Sequence, residues 1–226
     1  GGATTKKLEK YGIHTIGQLA TVNPQLLKSW FGVNGLNLWH YANGTDSSRV
    51  MQKDFVSPIK TIGHGITCTA DLENNSEVWR VMLELCQDLG HKLRVHNLTA
   101  NGVQITIKGS DLMYKQFQCQ IGFPTQSPLE IAQAAHNLFK KNYTWHIPVR
   151  AVTVRAINLM PKETAIQLDL FTDYEKRIKR ETIDNTIEEI RKRFGKNAVF
   201  SASLMGDLKM PNHSSHEITM PGMMYR

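Results

Sequence analysis

Four short segments of this sequence place side chains so that they could gather hydrogen-bond donors for an anionic ligand. Out of phase with their apolar neighbours stand Thr61, Gly63, Gly65 and Thr67, then Gln104, Thr106 and Lys108, then Gln116, Gln118 and Gln120, and finally Thr153 and Arg155. Residues two apart on a strand share a face, so each set would line one side of a sheet. None is acidic, and all 20 Asp and Glu residues fall outside the strands read as 60–68, 99–108, 113–123 and 150–157. Amide, hydroxyl, ammonium and guanidinium donors without carboxylates match phosphate oxygens. Gly63 and Gly65 leave room for another backbone to approach. Thr and Gln are also ordinary solvent-facing strand residues, so a merely solvated face is the competing reading. The face has no aromatic residue, which favours backbone tracking over base stacking.

Other chemistry finds little support. Two-metal catalysis needs closely placed carboxylates to hold both ions, and no such set stands in the sequence. Asp71 and Glu73 precede a helix and read as a solvated turn favouring its positive end. Ser127 and the nine His residues show neither nucleophile nor zinc spacing, and there is no Gly-rich phosphate loop, so this chain alone is expected to be catalytically inert. With 27 Lys and Arg against 20 Asp and Glu, the formal charge of +7 leans towards a polyanionic partner. Three scattered cysteines, Cys68, Cys86 and Cys119, suit a reducing cytosol without disulfides. No run of 18 apolar residues or basic-then-apolar leader is present, and a cytoplasmic location is expected. The opening Gly1-Gly2-Ala3-Thr4 reads as a cut from a longer chain.

The elements that would position the donors follow from periodicity. Thr4–Tyr11, Ile16–Ala20, Pro24–Phe31 and Leu36–Ala42 read as short helices of a small unit over residues 1–46, and 47–58 reads as a linker. Over 59–161 the pattern gives strand, helix, two strands joined at Gly109-Ser110-Asp111, helix, strand. The first helix carries Val78, Met82, Leu85, Leu89 and Leu93 as one stripe. The second opens with Ser127, Pro128 and Glu130, a capping-box signature. The fold class is therefore α+β, a ferredoxin-like β-α-β-β-α-β domain with both helices on one face. Residues 162–226 form a tail with a charged helix at Tyr174–Phe194, stopped by Gly195 and striped by Ile183, Ile187, Ile190 and Phe194. Its basic run of Lys176, Arg177, Lys179 and Arg180 could touch DNA but reads first as a solvated face, and the chain beyond Gly206 as loose structure.

Several strings resemble the C-terminal part of bacterial Y-family translesion DNA polymerases, the ImpB/MucB/SamB family. "KTIGHGITC" at Lys60–Cys68 and "VRAVTVRAINL" at Val149–Leu159 are similar to the first and last strands of the family's little finger. "ATTKKLEKYGIHTIGQLA" at Ala3–Ala20 and "LNLWHYANGTD" at Leu36–Asp46 resemble its helix-hairpin-helix thumb. The resemblance implies that Arg150 and Arg155 contact template phosphates, helped by His64, Gly65 and Thr67. Thr153, Lys108 and Gln118 join them from the alternation argument. It also implies a separate palm, using Mg2+, that holds the polymerase activity. Alternation sets Arg150 in phase with Val152 and Val154, near the rim, and His64 in phase with Ile62 and Ile66. Of the Gly-hydrophobic-Gly turn in the thumb only Gly1 and Gly2 remain, and Leu27, Trp30, Phe31 and Trp39 are expected to be unusually exposed.

Past the last strand, Gln167-Leu168-Asp169-Leu170-Phe171 resembles the pentapeptide that docks bacterial polymerases on the sliding clamp. Three bulky apolar side chains can fill a preformed groove while one amide fixes register. Packing against their own domain, or forming an edge strand, is the alternative. The expected function is damaged-DNA binding during SOS-linked lesion bypass, with DNA and the clamp as partners. The competing function is a regulatory module that binds a protein or small ligand and never touches DNA.

Overall fold

A computed structural model describes residues 1–164 and 173–211. The chain divides into two compact units, Gly1–Ser57 and Pro58–Arg226. The first contains α1 (Gly2–Glu9), α2 (Ile16–Thr21), α3 (Pro24–Phe31) and α4 (Val33–Ala42). Thr15 starts α2 with a complete capping box to Gln18, and Asn23 with Pro24 starts α3. Leu27, expected among the exposed apolar residues, is fully buried between Ile13 and Leu19. The reason lies in Gly35, where a Cβ would come within 2.0 Å of the Leu27 carbonyl oxygen. That contact lets α4 cross α3 closely enough to close the small core. Trp30, Phe31 and Trp39 pack half-buried around it.

The second unit runs β1 (Ile62–Leu72), α5 (Asn75–Val95), β2 (Leu98–Gly109), β3 (Tyr114–Thr125), α6 (Pro128–Asn142), β4 (Val149–Pro161) and α7 (Tyr174–Phe194). Its four strands lie in the order β1-β4-β2-β3, every neighbouring pair antiparallel. β1-α5-β2 thus straddles β4, and β3-α6-β4 straddles β2, two interlocked split units. The element order is the expected β-α-β-β-α-β of an α+β domain. α5 and α6 cover one face with Val78, Met82, Leu85, Leu89, Leu93, Ile131, Ala135 and Phe139, all buried against Val103, Ile105, Val152 and Val154. Truncating a side chain such as Phe139 to Ala would cost about 3 to 5 kcal/mol. The three cysteines are free thiols, and burial pushes that of Cys68, further raised by nearby Asp71, up to about 11.

Three features depart from the sequence reading. Ser127 begins α6 but makes no side-chain cap; instead its N–H donates to Thr125 Oγ1 at 2.9 Å, while Glu130 turns to Arg180 of α7. β1 continues past Cys68 through an irregularity between Thr67 and Leu72, so Asp71 falls inside a strand. The residues just beyond Gly206, expected to be loose, return to the domain. Leu208 and Met210 pack on the core, Lys209 reaches Glu77 at 3.0 Å, and the Thr69 N–H donates to the Lys209 carbonyl at 2.8 Å.

Candidate nucleic-acid interface

The uncovered face of the sheet carries the residues that strand alternation assigned to it. β-Pairing sets Gly63 opposite Arg155, Gly65 opposite Thr153, Thr106 between Thr153 and Gln116, and Gln104 between Arg155 and Gln118. Four strands therefore bring Arg155, Gln104 and Gln118 into one row across the sheet, with Gly63 at its end. An Arg155 Nη donates to Gln104 Oε1 at 3.3 Å, and Gln104 Nε2 donates onward to Gln118 Oε1 at 3.3 Å. In the next row Thr106 Oγ1 donates to Gln116 Oε1 at 3.4 Å.

Arginine has donors only, so its bond fixes which way the Gln104 amide points, and Gln104 in turn fixes Gln118. Three amide oxygens are engaged within the face. These bonds leave N–H groups of the exposed Arg155, Gln116 and Gln118 unused. Lys108 lies with its ammonium 5.1 Å from the ring centroid of its strand partner Tyr114, a cation–π contact that leaves the charge intact and corrects the expectation of a face without aromatics at this exposed end. Among the described residues, no carboxylate pairs with Arg155 or Lys108. Thr67, opposite Ala151, is exposed on the same face.

The two glycines of β1 serve a different purpose from the one expected. Their missing side chains do not leave an open track for a foreign backbone. A Cβ at Gly63 would come within 2.6 Å of Arg155 Cγ, and one at Gly65 within 2.2 Å of Thr153 Oγ1. The space is filled by β4 side chains.

Two sequence-predicted contacts lie elsewhere. His64 faces the helices, its Nδ1 2.8 Å from Asp88 of α5. Lys196 joins the same cluster, 2.8 Å from Asp88 and 3.0 Å from Glu84. Burial alone would push the Asp88 carboxyl up, but hydrogen bonds from His64 and Lys196, with the lysine charge, hold it well below the usual range. Arg150 sits at the rim in an ion pair with Asp71, 3.1 Å apart. Because Asp71 lies within β1, the expectation of strands free of carboxylates is corrected at this one residue, and Arg150 stands half-buried at an irregularity of β4, between Val149 and Ala151. The signal that could have found the pair is the cross-strand match of the two strand ends, hidden by the irregularity after Thr67.

The far side of the domain is built from opposite charges. α7 packs on α5 and α6 through Arg94 with Asp184, His91 with Glu188 and Arg180 with Glu130. Two members of the basic run expected to be a solvated face are engaged instead: besides Arg180, Arg177 bonds the Pro124 carbonyl and lies 4.7 Å from the Phe123 ring centroid. Burial pushes the Asp184 carboxyl up despite Arg94 nearby. The pentapeptide Gln167, Leu168, Asp169, Leu170 and Phe171 lies outside the described residues. Among the described residues, no group of three or more His, Cys, Asp or Glu could hold a metal ion.

Comparison with known proteins agrees with this architecture. Residues 59–170 match the impB/mucB/samB family C-terminal domain. A DNA polymerase IV of Acetivibrio thermocellus is 38% identical over 207 residues, covering 92% of this chain and 52% of the relative. One from Alkaliphilus oremlandii is 30% identical, covering 91% of this chain and 53% of the relative. The chain thus spans about half the length of the curated relatives it matches. A solved Y-family DNA polymerase chimera superposes with a TM-score of 0.59 at 16% identity, over 71% of this chain and 45% of that one, which shows a shared fold. On the matched domain, the extent of the relatives and the shared fold, the chain belongs to the impB/mucB/samB family.

Proposed function

We propose that the open sheet face grips the sugar-phosphate backbone of a DNA template–primer, as the little finger of a translesion DNA polymerase whose palm is supplied by another part of the protein. The observation that carries this reading is the row Arg155–Gln104–Gln118, exposed at Arg155 and Gln118, which engages its own acceptors and keeps N–H donors to spare. A surface of donors without carboxylates suits phosphate oxygens and reads no base sequence. The similarity to DNA polymerase IV relatives supports the same ligand. Such a grip would serve lesion bypass in the bacterial cytoplasm, where a distorted template is held by its backbone.

Anisotropy of a labelled primer–template duplex, titrated at several salt concentrations, tests the grip. Binding should be independent of sequence and weaken steeply with salt, and Arg155→Ala should weaken it about tenfold while lowering the salt slope by about one. Absence of binding at low salt, or an unaltered Arg155→Ala variant, would sink the reading.

The pentapeptide is proposed to dock on a bacterial sliding clamp, since it presents Leu168, Leu170 and Phe171 between β4 and α7 in the sequence. Leu170→Ala combined with Phe171→Ala should abolish clamp capture and spare DNA affinity. Clamp binding that survives both changes would refute it.

A further inference from the structure

We propose that Gly63 is a positioning residue: the notch it leaves in the edge strand β1 seats the Arg155 stem and so aims the guanidinium along the row that orients Gln104 and Gln118. This rests on the grip proposed above and assigns how that grip is held in register.

The geometry is specific. Gly63 pairs directly with Arg155, and a Cβ at Gly63 would lie 2.6 Å from Arg155 Cγ and 3.4 Å from both Cδ and Nε. The closest atom is near the root of the side chain, so the clash cannot be relieved by moving its tip. Arg155 would have to turn at its first torsions, and its Nη would leave Gln104 Oε1. Once that bond is gone, nothing with donors only holds the Gln104 oxygen towards β4, and the amide is free to turn over. Turned over, Gln104 presents its oxygen to Gln118 and loses the bond it now donates. One methyl group on β1 would thus disorder donors on three strands while leaving every charge in place. Glycine is otherwise a poor strand residue, being entropically costly and without a side chain to pack, so its presence here calls for a steric reason.

The test is a double-variant cycle on the 226-residue chain with a fluorescently labelled primer–template duplex at low salt. Gly63→Ala should weaken binding about fivefold to tenfold, close to the effect of Arg155→Ala, and should add nothing in the Arg155→Ala background. Equal losses in both backgrounds, or no loss, overturn the proposal. A second arm needs no DNA: the Gln104 side-chain NH2 resonances, assigned by NMR, should shift in Gly63→Ala and Arg155→Ala alike. They should stay in Gly65→Ala, where the Cβ meets Thr153 instead. Unmoved resonances in Gly63→Ala overturn the proposal. Should Gly63→Ala fail to fold, adding Arg155→Ala removes the clash and restores folding; persistent misfolding overturns the seat as well. Failure of the unaltered chain to bind the duplex would defeat the grip itself, and the resonance arm would still judge the seat.

Discussion

The two sides of the sheet both carry cations but neutralise them differently. On the helix side and at the rim, Arg94, Arg150, Arg180, Lys196 and Lys209 each meet a carboxylate within 4 Å. On the open side, Arg155 meets an amide oxygen and Lys108 an aromatic ring. A carboxylate cancels the charge it binds, whereas an amide or a ring only orients it. The first arrangement holds elements together; the second leaves a full positive charge for an outside anion. Counting basic residues would not separate the two, because the helix side is the richer in them.

The largest effect should come from making the open side resemble the other. Gln104→Glu would put a carboxylate against Arg155 and lower affinity for a duplex by between about tenfold and a hundredfold, measured by anisotropy, with the fold unchanged. Next is the removal of an acid from the helix side. Asp88→Asn should cost about 2 kcal/mol at neutral pH in a urea titration and leave DNA affinity alone. Asp88 is faced by His64 of β1 and by Lys196, with Glu84 one turn away on its own helix. Its folded pKa is depressed, so the stabilisation is complete above the ordinary carboxylate range and fades as the pH falls below it. The stability of wild type and Asp88→Asn should accordingly converge in acid. The smallest effect should come from freeing a rim cation: Asp71→Asn releases Arg150 and should tighten duplex binding about twofold.

The donor face was legible because its signal is local. Period-two alternation placed Gln104, Thr106, Gln118, Thr153 and Arg155 on one side without any knowledge of which strands are neighbours. It also set His64 on the opposite phase, where the structure has it, but alternation gives no face for Arg150, because the ladder is irregular between Val149 and Ala151. The lateral order β1-β4-β2-β3 was not legible, since pairing joins residues far apart in the chain. Asp71 escaped because the irregularity after Thr67 breaks the alternation by which strands are recognised. The same distance problem hid the docking of Lys209 on Glu77, a contact between residues 132 apart. The role of Gly63 belongs to this class too: a glycine in a strand signals a close approach, but only the register tells that Arg155 is what approaches.

The strap formed by residues 207–210 has a bearing on solubility. A sheet edge with unsatisfied backbone groups can template pairing with another chain, and β1, smoothed by glycines, is such an edge. The hydrogen bond from Thr69 to the Lys209 carbonyl and the lysine reaching back to the Asp71 carbonyl shelter one end of it. A chain shortened to end before Ala202 would bare that end, and it should self-associate through β1 at concentrations where the longer chain stays dispersed.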